Sequence, residues 1–410
     1  MSEMYGAGRI RLAAGLVVLM LVASAGAATG STPRKVMTAP VRFFFPSFDS
    51  GEEAAPATTT TTEPACVPQA TLRERAARVL IMGMPDVKDA SHPLPVELMQ
   101  LGVGGVLITG GNVDTRAQIT KLTGDLKRAA RNGLVVSTDE EPGRVTSFGH
   151  IIGNTSSARR LAATGTPEAM RDLAREQATD LAAMGITLDL APVADLDAGP
   201  ATATIGDRSF SGDPAIAARY AYAYALGLND KGVDPVIKHF PGRARAEGDD
   251  HLGRIVSNET MAELRENDLK PFADLVAKGA PVVMMSNVDY TAIEPSTPAS
   301  LSAKAYSMLR EMGFKGVAIT DSIGMGAVNQ RWDWSEAAVK AIASGADGVL
   351  STDGKFARDM VHGLVVAVQT GNLSEDRLNE AAARMVALAG GNPMAFACQA
   401  VELPKLQPQP

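Results

Sequence analysis

Residues 238–251 read KHFPGRARAEGDDH and place Lys238, His239, Asp249, Asp250 and His251 within fourteen positions, including two of the chain's five histidines. These residue types support several kinds of chemistry. A lysine at a strand end can form a Schiff base with a carbonyl. His239, Asp249 and His251 could ligate a metal, although an Asp-x-His pair with one distant His is a sparse ligand set. An active-site segment that moves protons or holds a polar substrate is a further reading. The bland alternative is a solvated loop, the usual fate of charged, glycine-containing runs.

Such residues act only if rigid elements hold them. Short β-branched runs recur at 78–84, 104–110, 134–140, 186–193, 233–240, 281–288, 316–322 and 347–353. They are apolar nearly throughout, as expected for parallel strands covered on both faces. Amphipathic helical patterns lie between them, for example at 115–130 and 167–185, and Asp213-Pro214 opens another, with Pro tolerated in a first turn. Glycine recurs where helix gives way to strand, at Gly185, Gly232, Gly279, Gly313 and Gly345. Eight β-then-α units predict an α/β chain with a single (β/α)8 TIM-type barrel; an open doubly wound sheet is the alternative. No glycine-rich phosphate loop follows the first strand, which disfavours a dinucleotide fold. Barrel active sites form at the C-terminal strand ends. Here those ends read Asp139-Glu140-Glu141, Lys238-His239, Ser286-Asn287 and Asp321-Ser322, polar groups that a purely packed core disfavours.

Four motifs then make the chain resemble family 3 glycoside hydrolases, most closely the single-domain bacterial β-N-acetylhexosaminidases. They are STDEEPGRV (137–145), IGDRSF (205–210), KHFPG (238–242) with Asp249 and His251 downstream, and GFKGVAITDSIGMGA (313–327). The resemblance spans about residues 70–390, in the right order at the right strand ends. It implies a retaining exo-β-N-acetylglucosaminidase acting on cell-wall-derived or related N-acetylglucosamine glycans, with no cofactor and no metal. Asp321 falls on the family's nucleophile, and Asp249 and His251 on the Asp-x-His dyad that serves as acid/base. Asp139, Arg208, Lys238 and His239 fall on its sugar-hydroxyl ligands, and Arg144 on the arginine of its D-x-E-G-G-R-V motif. Asp250 reads as a solvated spacer. The assignment is chemically coherent: a carboxylate attacks the anomeric carbon, and a histidine oriented by a carboxylate protonates the departing oxygen. Taken alone, Asp321 reads equally well as a helix N-cap.

The chain also departs from the family. Arg243 replaces a His and Ala244 a Gly in KHFPGRAR, Pro142 stands where Gly is preferred, and Asn287 stands where these enzymes often have His. These positions surround the sugar, and Arg243 adds a cation suited to an anionic substituent. Two further functional readings stay open: a β-glucosidase, β-xylosidase or phosphorolytic relative, and a secreted sugar-binding barrel whose catalysis is weakened.

The remaining features bear on location. Arg9 and Arg11 precede LAAGLVVLMLVASAGAA, so residues 1–28 read as an export signal, with an uncleaved anchor as the alternative. Residues 29–65 are rich in Thr, Pro and Ala and read as a disordered linker; 66–400 form the barrel and 401–410 a tail. Secretion, or association with the cell envelope through the N-terminus, is expected. The only cysteines, Cys66 and Cys398, flank the barrel, and an even count in an exported chain invites a disulfide, with two free thiols as the alternative. The net charge of −7 and the absence of a dense basic stripe exclude a nucleic-acid surface. A monomer acting on a carbohydrate is the expected state.

Overall fold

The computed structural model describes residues 66–243, 246 and 248–407; the expected signal and linker, and Ala244, lie outside the described residues. Among the described residues, eight parallel strands form the main sheet: β1 (Leu80–Gly83), β2 (Gly105–Ile108), β3 (Val135–Thr138), β4 (Leu188–Asp189), β5 (Asp234–Phe240), β6 (Val282–Met285), β7 (Val317–Thr320) and β8 (Val349–Ser351). β8 pairs with β1, and the order then runs β1 to β7. A bridge between Ile319 and Gly348, with Thr320 N donating to Gly348 O at 3.0 Å, brings β7 back to β8 and closes the barrel.

Closure explains why the strands lack visible alternation. Ile81, Leu107, Val135, Leu188, Val236, Val282, Val317 and Leu350 form one cluster inside the barrel. Their chain neighbours Leu80, Val106, Val136, Ile237, Val283 and Ala318 pack in the outer cluster beneath the helices. Both faces of each strand are therefore buried in apolar surroundings, and period-two patterning disappears.

The helices start where local chemistry says they should. Thr115 caps Arg116–Ala129, Thr166 caps Pro167–Ala183, and Asp213 accepts from Ala215 N and Ile216 N at the head of Pro214–Asn229. All five junction glycines have positive φ, from +75° at Gly232 to +127° at Gly345. At Gly279 a side chain would also collide, because a Cβ there would lie 2.5 Å from Lys405 O.

Lys405 belongs to the segment that the sequence alone assigns to a tail. Its described part is packed rather than free: Leu406 is buried and Gln407 N donates to Lys278 O at 3.3 Å. Cys66 and Cys398 form a disulfide with Cα atoms 6.0 Å apart, joining positions separated by 332 residues. A loop of that length contributes at most about 5–6 kcal/mol by restricting the unfolded chain.

Asp234, the first residue of β5, is the costly group in this region. Burial pushes its carboxyl up from 3.8 to about 6, against the pull of Lys405. A folded-state pKa above the unfolded value means that stability falls as pH rises from about 4 to 6, since the native state holds the proton more tightly. Asp234→Asn is expected to raise stability at pH 7 by on the order of 1–3 kcal/mol. In thermal melts, the gain should shrink towards zero at pH 4.

Candidate active site

The C-terminal strand ends enclose a cavity of about 240 Å³. Leu107, Leu190, Met284 and Leu350 line it together with Asp139, Arg208, Lys238, His239, Arg243, Asp250, His251 and Asp321. Strand β5 delivers Lys238 and His239, Asp139 follows β3, and Asp321 follows β7. The barrel thus gathers on one mouth residues that lie far apart along the chain.

A charge network organises one wall. Lys238 Nζ lies 2.7 Å from Asp139 Oδ1 and 2.7 Å from Glu141 Oε1. Arg208 grips Glu141 with both ends of its guanidinium, Nε to Oε2 at 2.8 Å and Nη2 to Oε1 at 2.7 Å. Burial opposes ionisation of Glu141, but Arg208 and Lys238 outweigh it and hold the carboxyl well below its ordinary range. Burial likewise disfavours the Lys238 ammonium, and Asp139 and Glu141 reverse that penalty. Glu141 therefore fixes two cations towards the cavity while Asp139 stays at its edge.

A second carboxylate organises the next wall. Asp195, wholly buried after β4, accepts from His239 Nδ1 at 2.6 Å and from the amides of His239 and Arg243 at 3.2 and 2.9 Å. Burial opposes its charge, but His239 and these bonds keep Asp195 ionised and its pKa lowered. With Nδ1 engaged, the other nitrogen of His239 is left for a ligand.

Asp321 is half-buried, and its Oδ1 accepts from Ser322 N at 2.6 Å. Asp249 and His251 pair as a dyad, Oδ1 to Nδ1 at 2.9 Å, with the same oxygen accepting from His251 N at 3.0 Å. His251 lies at the rim, its side chain 69% exposed. Asp249 is exposed behind it; burial opposes its charge, but the bonds from His251 together with the charges of His251 and Arg243 lower its pKa.

Not every expected residue faces the cavity. Arg144 turns outward, donating to Asp207 Oδ1 at 3.0 Å and to Ala203 O at 2.7 Å, so it braces the loop that carries Arg208. Asn287 is buried beneath the mouth, donating to Ser322 O at 2.9 Å and accepting from Ser300 Oγ at 2.6 Å. Arg243 lines the cavity, but its Nη2 lies 3.2 Å from Asp250 Oδ1 in a buried pair. Asp250 is accordingly no solvated spacer: it is 2% exposed, and burial raises its pKa. Its ligand atoms and those of Asp249 and His251 lie within 4.8 Å of one another, a cluster of exposed and paired groups. The sequence alone gives Glu141 a place at a strand end but no role, and gives Asp195 neither. Glu141 stood inside the quoted motif, whereas an Asp trailing the apolar run APVAD was the only signal for Asp195.

Residues 71–388 match the model described as glycosyl hydrolase family 3 N terminal domain. The beta-hexosaminidase LpqI of Mycobacterium tuberculosis is 36% identical over 353 residues, covering 83% of this chain and 88% of that protein. The solved structure of M. tuberculosis LpqI superposes with a TM-score of 0.74, covering 79% of this chain and 95% of that one. A beta-N-acetylhexosaminidase from Beutenbergia cavernae superposes with a TM-score of 0.73 at 28% identity, covering 79% and 100%.

Removing the charge of Glu141 leaves Arg208 and Lys238 undercompensated in a buried site. Glu141→Gln is expected to cost about 2–4 kcal/mol in denaturant unfolding at pH 7. Because the native pKa is depressed, that contribution exists above the ordinary value of 4.5 and is lost as pH falls below it. The gap between variant and wild type should close in acid.

Proposed function

Since the chain belongs to glycosyl hydrolase family 3, we propose that it is a retaining exo-β-N-acetylglucosaminidase that removes terminal N-acetylglucosamine from cell-wall-derived or related glycans. The observation that carries this reading is the shared cavity: Asp321, His251, Asp139, Arg208, Lys238 and His239 all line it. Asp139, Arg208 and Lys238 offer an acceptor and two charged donors suited to vicinal hydroxyls. Inward barrel side chains line the cavity's depth, which supports binding of a chain end rather than passage of a polymer.

In the first step a carboxylate oxygen of Asp321 forms a bond to the anomeric carbon as the glycosidic C–O bond breaks. The departing oxygen takes a proton from His251, which Asp249 orients. In the second step His251 takes a proton from water, and the water oxygen displaces Asp321. Two displacements at one carbon give net retention. The features of residues 1–28, together with a disulfide of the kind that persists in oxidising compartments, support a place outside the cytoplasm.

Asp321→Ala is expected to lose at least about 10³-fold in turnover of an aryl β-N-acetylglucosaminide. A fluorinated N-acetylglucosaminyl donor should leave an adduct on Asp321, located by peptide mass spectrometry. An adduct on another residue, or faster turnover of the matching glucoside or xyloside, overturns the reading.

A further inference from the structure

The loop carrying His251 is seated on the turn that follows Asp321. Gly326 N donates to His251 O at 3.1 Å and Ala327 N to Asp250 O at 2.9 Å. Gln330 Nε2 donates to Leu252 O at 3.0 Å. Three consecutive carbonyls are thus held by one short stretch of the β7 loop. Farther along, Arg254 and Arg331 share buried Asp289, at 2.6 and 2.8 Å, so the same two loops are joined again.

This approach requires that Gly326 have no side chain. A Cβ there would lie 2.7 Å from His251 O and 2.8 Å from the carbonyl carbon of Leu252, closer than real Cβ atoms come to backbone. The φ of Gly326 is not in the left-handed region, so the constraint is space rather than backbone conformation. The turn between Asp321 and Gly326 is itself tight: Ser322 N donates to Asp321 Oδ1 at 2.6 Å and Met325 N to Ser322 O at 3.2 Å. On the opposite side the loop is held by the Arg243–Asp250 pair, and Arg243 N is fixed by Asp195.

We propose that Gly326 is a positioning residue whose bare backbone sets the separation between the proton donor His251 and the nucleophile Asp321. This rests on the roles assigned above. Displacements near 1 Å in such a pair cost about 10²-fold in rate, and a Cβ at Gly326 forces a shift of that order in the His251 loop. The nucleophile lies on the other side of the contact and keeps its own hydrogen bonds, so the damage falls on proton transfer.

The experiment compares Gly326→Ala, Gln330→Ala and His251→Ala on aryl β-N-acetylglucosaminides of graded leaving-group acidity. A dinitrophenolate departs without a proton, whereas an unsubstituted phenolate needs one, and kcat/KM reports the steps through departure. For His251→Ala we expect a loss of about 10³-fold on the phenyl substrate and little on the dinitrophenyl one. Gly326→Ala should show the same slope, about 10²-fold on the phenyl substrate and under about 3-fold on the activated one. Gln330→Ala, which leaves Gly326 intact, should lose about 5-fold in the same direction, and it decides the matter if Gly326→Ala does not fold. Equal losses across the series, or no loss on the phenyl substrate, overturn the proposal. If His251→Ala itself shows no dependence on the leaving group, the acid/base assignment fails; if it alone shows one, only the role of Gly326 fails.

Discussion

The Lys238 ammonium sits where water scarcely reaches it, its side chain 2% exposed. A buried cation persists only when carboxylates surround it with good geometry, because desolvation otherwise exceeds any attraction. Much of the mouth follows from that requirement. Asp139 and Glu141 must both come from the loop that follows β3. Glu141 then needs Arg208 to complete its own neutralisation, which pulls in the loop 203–208 that Arg144 braces from outside. One cation at the end of β5 thereby ties three segments into a single wall.

The opposite half is organised by backbone hydrogen bonds rather than charge alone. Asp195 fixes His239 and the amide of Arg243 together, and Arg243 then reaches Asp250. The Arg at position 243, foreign to the family pattern, is thus absorbed inside the loop, where its charge meets a buried carboxylate. The acidic residue between Asp249 and His251 serves as that counter-charge, leaving its neighbours to form the exposed dyad at the rim.

Much of the fold was legible because its signals are local. The strands were compact apolar runs, several helices began at a Thr or Asp cap, and the junction glycines marked positions of positive φ. The site was legible where a motif named it. It was not legible where two residues of one type take opposite tasks. Arg144 and Arg208 both lie in recognisable motifs, yet one braces a loop from outside and the other lines the cavity. Asn287 ends a strand as a ligand would, but its amide is consumed by Ser322 O and Ser300. Direction and competing partners decided these cases, and neither is encoded by spacing along the chain.

The sequence by itself determined the alternation of strands and helices, the order of polar residues at the strand ends, the positions of the two cysteines, and the family to which the motifs point. Those follow from periodicity, capping and residue type, all readable within a few positions. Tertiary structure alone decided that Asp250 is buried with Arg243, that Asp195 holds His239, and that Leu406 packs instead of trailing free. It also placed Gly326 against His251 O, across a separation of seventy-five positions. Apart from the Arg243–Asp250 pair, which closes within one loop, these are contacts between segments far apart in the chain, where the need to neutralise a buried charge or fit two backbones together depends on what barrel closure brings opposite.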